Sequence, residues 1–142
     1  MSDYVLIDGD QALFMPTFGA ATVVVRPGSL RAGGAAKLGG QKWCVSGDEA
    51  SVSVQGCMYM TPTHSIPGIG TLEVDSLASD QTTRHTTLAG TALLLVGGSF
   101  TAKFSVQSPA QQPTSAGPVP DPVTQYSGSG QFISTNSKLK AS

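Results

Sequence analysis

Ala50-Ser51-Val52-Ser53-Val54-Gln55 alternates small polar and apolar side chains with period two, the pattern of a strand with one buried face. Thr101-Ala102-Lys103-Phe104-Ser105-Val106 repeats it, placing Ala102, Phe104 and Val106 on one side. Outward from these two lie further aliphatic and β-branched runs at Ala21–Val25, Gln41–Val45, Gly70–Asp75 and Thr91–Val96. Turn pairs separate them: Pro27-Gly28, Gly33-Gly34, Gly39-Gly40, Gly47-Asp48, Pro67-Gly68 and Gly97-Gly98. Helical periodicity is nearly absent, with one weak candidate over Asp8–Met15. The chain therefore reads as mostly β, built from short hairpins.

From Ser108 the composition changes. Ser108 to Pro122 is rich in proline, an extended stretch poorly suited to packing on its own. Gln125–Ile133 could add a last short strand, and Ser134–Ser142 reads as a frayed end. The expected organisation is an N-terminal segment (1–20), a compact β domain (21–107) and a Pro/Ser/Gly-rich tail (108–142) that lies on something else.

Glycine (17) and proline (9) are abundant, aromatics are few (6%) and only 12% of residues are charged. So little core per residue argues for a staple: a disulfide, a metal or a partner chain. A net charge of −1 with scattered basic residues gives no reason to expect nucleic acid or an anionic membrane. Acids near the N-terminus are unlike a secretory signal, and Leu93-Leu94-Leu95-Val96 is too short to span a bilayer. The expected site of synthesis is a cytoplasm, where cysteines serve as thiols or metal ligands more often than as disulfides.

All the cysteine and histidine of the chain falls in one window: Cys44, Cys57, His64 and His85. Two thiolates and two imidazoles make a complete ligand set for tetrahedral zinc, and the mixed sulfur and nitrogen donors favour zinc over iron. The spacing is not that of a zinc finger, since paired knuckles are missing. Strand-end and loop positions can nevertheless converge at one end of a small β fold, where metal binding would contribute directly to folding. A Cys44–Cys57 disulfide and a purely packing role for all four residues stay open beside this reading.

Catalytic signatures are missing. There is no nucleophile elbow, no Walker loop and no paired-histidine zinc helix. Gly68-Ile69-Gly70 and Gly128-Ser129-Gly130 lack the following helix that a phosphate cradle requires, and Asp48-Glu49 reads as a solvated turn. Cys57 with His64 or His85 could form a nucleophilic pair, but no third orienting group stands nearby. No catalytic residue is assigned, and the expectation is a protein that is not an enzyme.

Ala35 to Asp48, Val52-Ser53-Val54-Gln55-Gly56-Cys57-Met58-Tyr59 and Thr61 to Thr71 together resemble the PAAR and PAAR-like spike-tip proteins over about Ala21–Pro109. The shared pattern is a Gly-Asp turn, a short strand, a glycine turn and a metal ligand near the tip. Gly97 to Phe104 continues the hairpins. Such proteins cap the central spike of contractile injection systems: type VI secretion, contractile phage tails and related particles. The resemblance implies a short cone of β-hairpins with zinc near the apex. Many members use three histidines and one cysteine, whereas this chain supplies two of each. It further implies a trimeric β-helical, VgrG-like spike as partner, with one tip per trimer, and delivery outward in the particle. The tail could carry cargo or lie along the shaft, and Leu93–Val96 with Phe100–Val106 are candidates for the base.

Two other readings compete. One is a metal-free β-sandwich binding or adhesin-like module over Ala21–Val106. The other is a small metal-dependent or cysteine hydrolase, which would need an open coordination position or a reactive thiol.

Overall fold

The computed structural model describes residues 3–33, 37–38, 41–88, 91–134 and 140–141. Eight strands form one antiparallel sheet: β1 Gln11–Phe14, β2 Thr17–Phe18, β3 Ala21–Val23, β4 Gly28–Ser29, β5 Ser53–Met60, β6 Gly68–Ser76, β7 Phe100–Ser108 and β8 Gln125–Ile133. Their spatial order is β2-β3-β5-β6-β7-β8-β1-β4. The two edge strands fold back, β2 over β8 and β4 toward β5, so the sheet curls around its own core. Mostly β was the expectation, and mostly β is the result.

The period-two reading holds where it was strongest. In β7 the buried residues are Phe100, Ala102 and Phe104, with Val106 packed against the same core. The other pattern starts later than expected. Asp48–Ser51 form a single 3-10 turn, closed by the Ser51 hydroxyl on the Asp48 carbonyl at 2.6 Å, so β5 begins at Ser53. A bulge at Gln55-Gly56, with Gly56 at φ 71°, then shifts the buried set from Val54 to Cys57 and Tyr59. Asp8–Met15 is not helical. A turn leads into β1, which buries Ala12 and Phe14 and leaves Gln11 exposed.

The few aromatics are concentrated. All five phenylalanines (Phe14, Phe18, Phe100, Phe104 and Phe132) are buried. Phe14 meets Phe100 edge-on at 5.6 Å, and Phe100 meets Phe132 at 4.8 Å. A second chain runs Phe18, Phe104, Tyr59, Tyr126, with centroid separations of 6.2, 5.1 and 5.8 Å. Two glycines from the fragments Gly68-Ile69-Gly70 and Gly128-Ser129-Gly130 carry these rings. A Cβ on Gly70 would stand 2.5 Å from Phe104, and one on Gly128 would stand 2.7 Å from Phe18. The rings lie flush on backbone, and the core closes with little side-chain volume.

The tail expected from Ser108 does not stand apart from the domain. β8 lies inside the sheet, paired with β7 from Phe100↔Gly130 to Ser105↔Gln125 and with β1 from Gly130↔Phe14 to Ile133↔Gln11. Of the segment 1–20, the described residues 3–20 likewise belong to the fold, because β1 and β2 are sheet strands. The proline-rich stretch between β7 and β8 forms its own short pair, Gln111–Gln112 with Val119–Pro120. One buried carboxylate clasps it. Asp121 accepts the Tyr59 hydroxyl at 3.0 Å and the Tyr126 hydroxyl at 2.6 Å on Oδ2, and the Val123 N–H at 3.0 Å on Oδ1. The Ala110 N–H donates to the Tyr59 hydroxyl at 2.9 Å, and the Asp121 N–H donates to the Ala110 carbonyl at 2.8 Å.

Burial pushes the Asp121 carboxyl up. Hydrogen bonds from Tyr126, Val123 and Tyr59, with the His64 charge, outweigh it and hold the group below its ordinary 3.8. Burial, and then the contact with Asp121, raises Tyr126 above its ordinary 10.0, and burial chiefly raises Tyr59 as well. The clasp therefore contributes fully above 3.8 and is lost as pH falls through the folded-state value of Asp121. At the other end, the phenol contribution is present below 10.0 and lost as pH rises through the folded-state values of the two tyrosines. Asp121→Asn is expected to cost about 1–3 kcal/mol at neutral pH and to flatten the acid limb of a urea-stability profile. An unchanged midpoint at neutral pH would rule the clasp out as a stabilising element.

Candidate functional site

Three segments with one pattern meet at a point: Val5-Leu6-Ile7-Asp8-Gly9-Asp10, Trp43-Cys44-Val45-Ser46-Gly47-Asp48 and Leu93-Leu94-Leu95-Val96-Gly97-Gly98. Each has three mostly aliphatic positions, a variable residue and a glycine with positive φ (Gly9 89°, Gly47 107°, Gly97 54°). That left-handed turn releases the chain from the meeting point into the curled sheet.

The segments close on one another in a ring. The Leu6 N–H donates to the Leu94 carbonyl at 2.9 Å, Leu94 to Cys44 at 3.0 Å, and Cys44 back to Leu6 at 2.9 Å. A second set surrounds it: Asp8 to the Lys42 carbonyl at 2.8 Å, Ser46 to Ala92 at 2.8 Å, and Val96 to Tyr4 at 3.0 Å. The bridges follow the same cycle, Val5↔Leu95, Ile7↔Trp43 and Val45↔Leu93, all antiparallel. The first half of each arm thus pairs with the second half of the next, a pseudo-threefold junction built from one chain.

Alternation along the arms sorts their side chains onto two sides. Leu6, Cys44 and Leu94, the central residue of each arm, join the main core. Val5, Leu93 and Leu95 form a separate buried layer, with Trp43 and Val45 packed against it. Each arm is entered through a short strand pair: Asp3–Tyr4 with Lys140–Ala141, Lys37–Leu38 with Gln41–Lys42, and Thr82–Leu88 with Thr91–Leu94. The junction thus has a sheet side and a base side. Among the described residues, the Trp43 indole N–H is the one buried side-chain polar atom with no hydrogen-bond partner.

Two arms are locked alike. The Asp10 carboxylate accepts the Ile7 N–H and the Asp48 carboxylate accepts the Val45 N–H, both at 2.8 Å. In the third arm Gly98 takes that position, and residues 80–83 supply the acceptors. The Gln81 carbonyl accepts from Leu95 at 2.9 Å, the Thr83 hydroxyl from the Leu93 N–H at 2.9 Å, and the Asp80 carboxylate from the Gly98 N–H at 3.0 Å. The symmetry lies in the backbone, while the side chains that hold it differ.

The four candidate zinc ligands occupy different settings. Cys44 is the central residue of the second arm. Burial, then the charges of Asp48, Asp10 and Asp8, push its thiol up to about 12. Cys57 sits after the bulge of β5, its Sγ 3.7 Å from the Val54 carbonyl and 3.8 Å from the Arg26 guanidinium. Both cysteines are free and buried. His64 lies in the β5–β6 loop, with Nδ1 within 2.9 Å of the Thr63 hydroxyl and 3.1 Å of the Thr61 hydroxyl. His85 falls in the strand Thr82–Leu88, and its side chain lies outside the described residues. Among the described residues no three His, Cys, Asp or Glu side chains gather as a metal set, so Cys44, Cys57 and His64 are not brought together.

The chain as a whole, residues 1–142, matches the family model of contractile injection system spike tip proteins, and it belongs to that family. The match extends beyond both ends of the stretch that carried the sequence resemblance, as a sheet that includes β1 and β8 requires. No curated protein matches the chain.

Sequence reading passed over the junction, although its signal was visible: aliphatic triplets followed by Asp-Gly-Asp, Ser-Gly-Asp and Val-Gly-Gly. A shared metal would make Cys44→Ala and His64→Ala equally damaging. Their separate settings predict unequal losses. Cys44→Ala, which opens space at the junction centre, should cost about 1–3 kcal/mol in urea unfolding, and the part-exposed His64→Ala only a few tenths. Equal losses, accompanied by loss of a bound metal from both variants, would restore the ligand set.

Proposed function

We propose that the chain caps a threefold-symmetric spike, seating the base side of its junction on the spike end and presenting the curled sheet as the point. The cyclic ring of Leu6, Cys44 and Leu94 backbone bonds carries this reading. A single chain that meets a trimer through an asymmetric patch satisfies one of three equivalent surfaces and leaves two uncovered. Three arms entered from one end remove that mismatch, giving each spike subunit a similar backbone surface. The buried apolar layer of Val5, Leu93 and Leu95, with Trp43 and Val45 packed against it, backs that side of the junction. The role is mechanical, with no catalytic step, and the partner is a trimeric β-helical spike of the VgrG or phage-hub type.

Synthesis in a cytoplasm and export with the particle follow from this assignment. A structural zinc is a separate proposal, read by elemental analysis of the purified chain. One zinc per chain supports it, and a folded, metal-free protein removes it.

Native mass spectrometry of the chain mixed with the spike protein of its own particle tests the seat. One chain per spike trimer is expected. Lys42→Glu and Ala92→Asp, at equivalent positions entering two arms, should each weaken the complex by about tenfold or more while leaving thermal unfolding nearly unchanged. Three chains per trimer, or undiminished binding by both variants, would overturn the threefold seat.

A further inference from the structure

The curled sheet leaves a seam. β4 is hydrogen-bonded to β1 alone, and the start of β5 pairs with β6, so β4 and β5 approach without a ladder between them. They are close: a Cβ on Gly28 would lie 2.6 Å from Val52 and 3.2 Å from Val54. Above this contact runs an open groove of about 490 Å³. Its chemistry is one-sided. Arg26 and Arg31 supply two guanidinium groups, Ser29, Ser51 and Ser53 supply hydroxyls, and among the described residues no carboxylate lines it.

The neighbouring acids are turned elsewhere. Asp48 accepts the Val45 and Gly33 N–H groups at 2.8 and 3.3 Å, and Glu49 accepts the Gly47 N–H at 2.6 Å. Glu73 stands level with Ser53 in one ladder and with Lys103 in the next, and it is not among the residues that line the groove. Arg26 is oriented by the bulge of β5, where the Gln55 carbonyl turns out to accept its guanidinium, and Cys57 Sγ lies 3.8 Å away. The backbone of Arg31 is pinned by its N–H on the Ser51 hydroxyl at 2.9 Å, while its guanidinium has no side-chain partner among the described residues. Two exposed guanidiniums over a hydroxyl-lined floor, in a chain of net charge −1, form a local concentration of donors with no internal acceptor charge.

We propose that this seam groove binds a phosphate group, with Arg31 and Arg26 gripping the oxygens and the Ser29 and Ser53 hydroxyls donating to those that remain, while Ser51 keeps its proton on the Asp48 carbonyl. Forked guanidinium donors match phosphate oxygens two at a time, and an exposed polar groove suits a small anion better than an apolar ligand. None of these residues belongs to the three arms, so the proposal stands or falls independently of the spike seat.

The test is a titration of the isotopically labelled full chain with inorganic pyrophosphate, followed by amide chemical shifts at constant ionic strength against sodium chloride. Shifts confined to residues 26–31 and 51–55 are expected. Affinity should fall about tenfold in Arg31→Gln, which removes an exposed side chain and leaves the fold intact. A parallel flotation with phosphatidylcholine vesicles, with and without phosphatidic acid, identifies the source. Co-flotation lost in Arg31→Gln assigns a lipid headgroup, and binding of pyrophosphate alone assigns a soluble phosphate. Shifts reproduced by chloride, binding unchanged in Arg31→Gln, or no binding in either arm would overturn the proposal.

Discussion

The hydrogen bonds that link Leu6, Cys44 and Leu94 in a cycle are the constraint on which the rest of the structure depends. A strand presents donors and acceptors along both edges, and buried ones need partners. Here each arm uses the other two, so the centre of the molecule has no free edge for another chain to join. The cycle is all-or-none in a way a hairpin is not, because two arms cannot satisfy each other without the third. Its members stand far apart along the chain, separated by whole blocks of sheet. Closure therefore comes late in folding, after much loop entropy has been lost. Asp10 and Asp48, and Gln81 with Asp80 in the third arm, fix the local turns and so reduce the entropy left to lose at closure.

A junction of backbone needs a cover, and the composition supplies one economically. Phe104 and Phe18 pack closely on Gly70 and Gly128, so a few rings seal a curled sheet that would otherwise need many large side chains. The proline-rich stretch is held by polar bonds instead. Proline lacks the N–H needed for a ladder. Asp121 anchors the segment through two tyrosine hydroxyls and its own backbone, and this brings β8 into register between β7 and β1.

What was legible in the sequence follows from how local each signal is. Period two marked β7 and the opening of β5, Ser53–Gln55, because one face of each strand meets the core directly. The start of β5 was misplaced, since Ala50 and Ser51, the last residues of the 3-10 turn, continue the alternation of the strand that follows. β8 read as a terminal afterthought because Gly128 and Gly130 weaken its strand pattern, yet those glycines are what let Phe18 and Phe100 approach. Asp8–Met15 suggested a helix only because the last residues of an arm run straight into β1. The cysteine and histidine cluster drew attention by rarity, a statistical cue with no geometry in it. Comparison of the three glycine turns places Cys44 level with Leu6 and Leu94, where a small buried side chain is enough.

That comparison bears on how one chain can serve a symmetric partner. Exact symmetry would require three identical arms and would carry the threefold axis through to the point. The arms here share backbone geometry and glycine conformation, while their supports differ: a carboxylate in two arms, and the segment 80–83 in the third. Symmetry is therefore kept at the junction and dropped immediately beyond it, where a single eight-stranded sheet curls asymmetrically around its core. In the proposed seat this division assigns each feature to one end. The backbone cycle answers the spike, and the irregular sheet is free to narrow and to carry the Arg26 and Arg31 groove that a strictly threefold cap would have to repeat on every face.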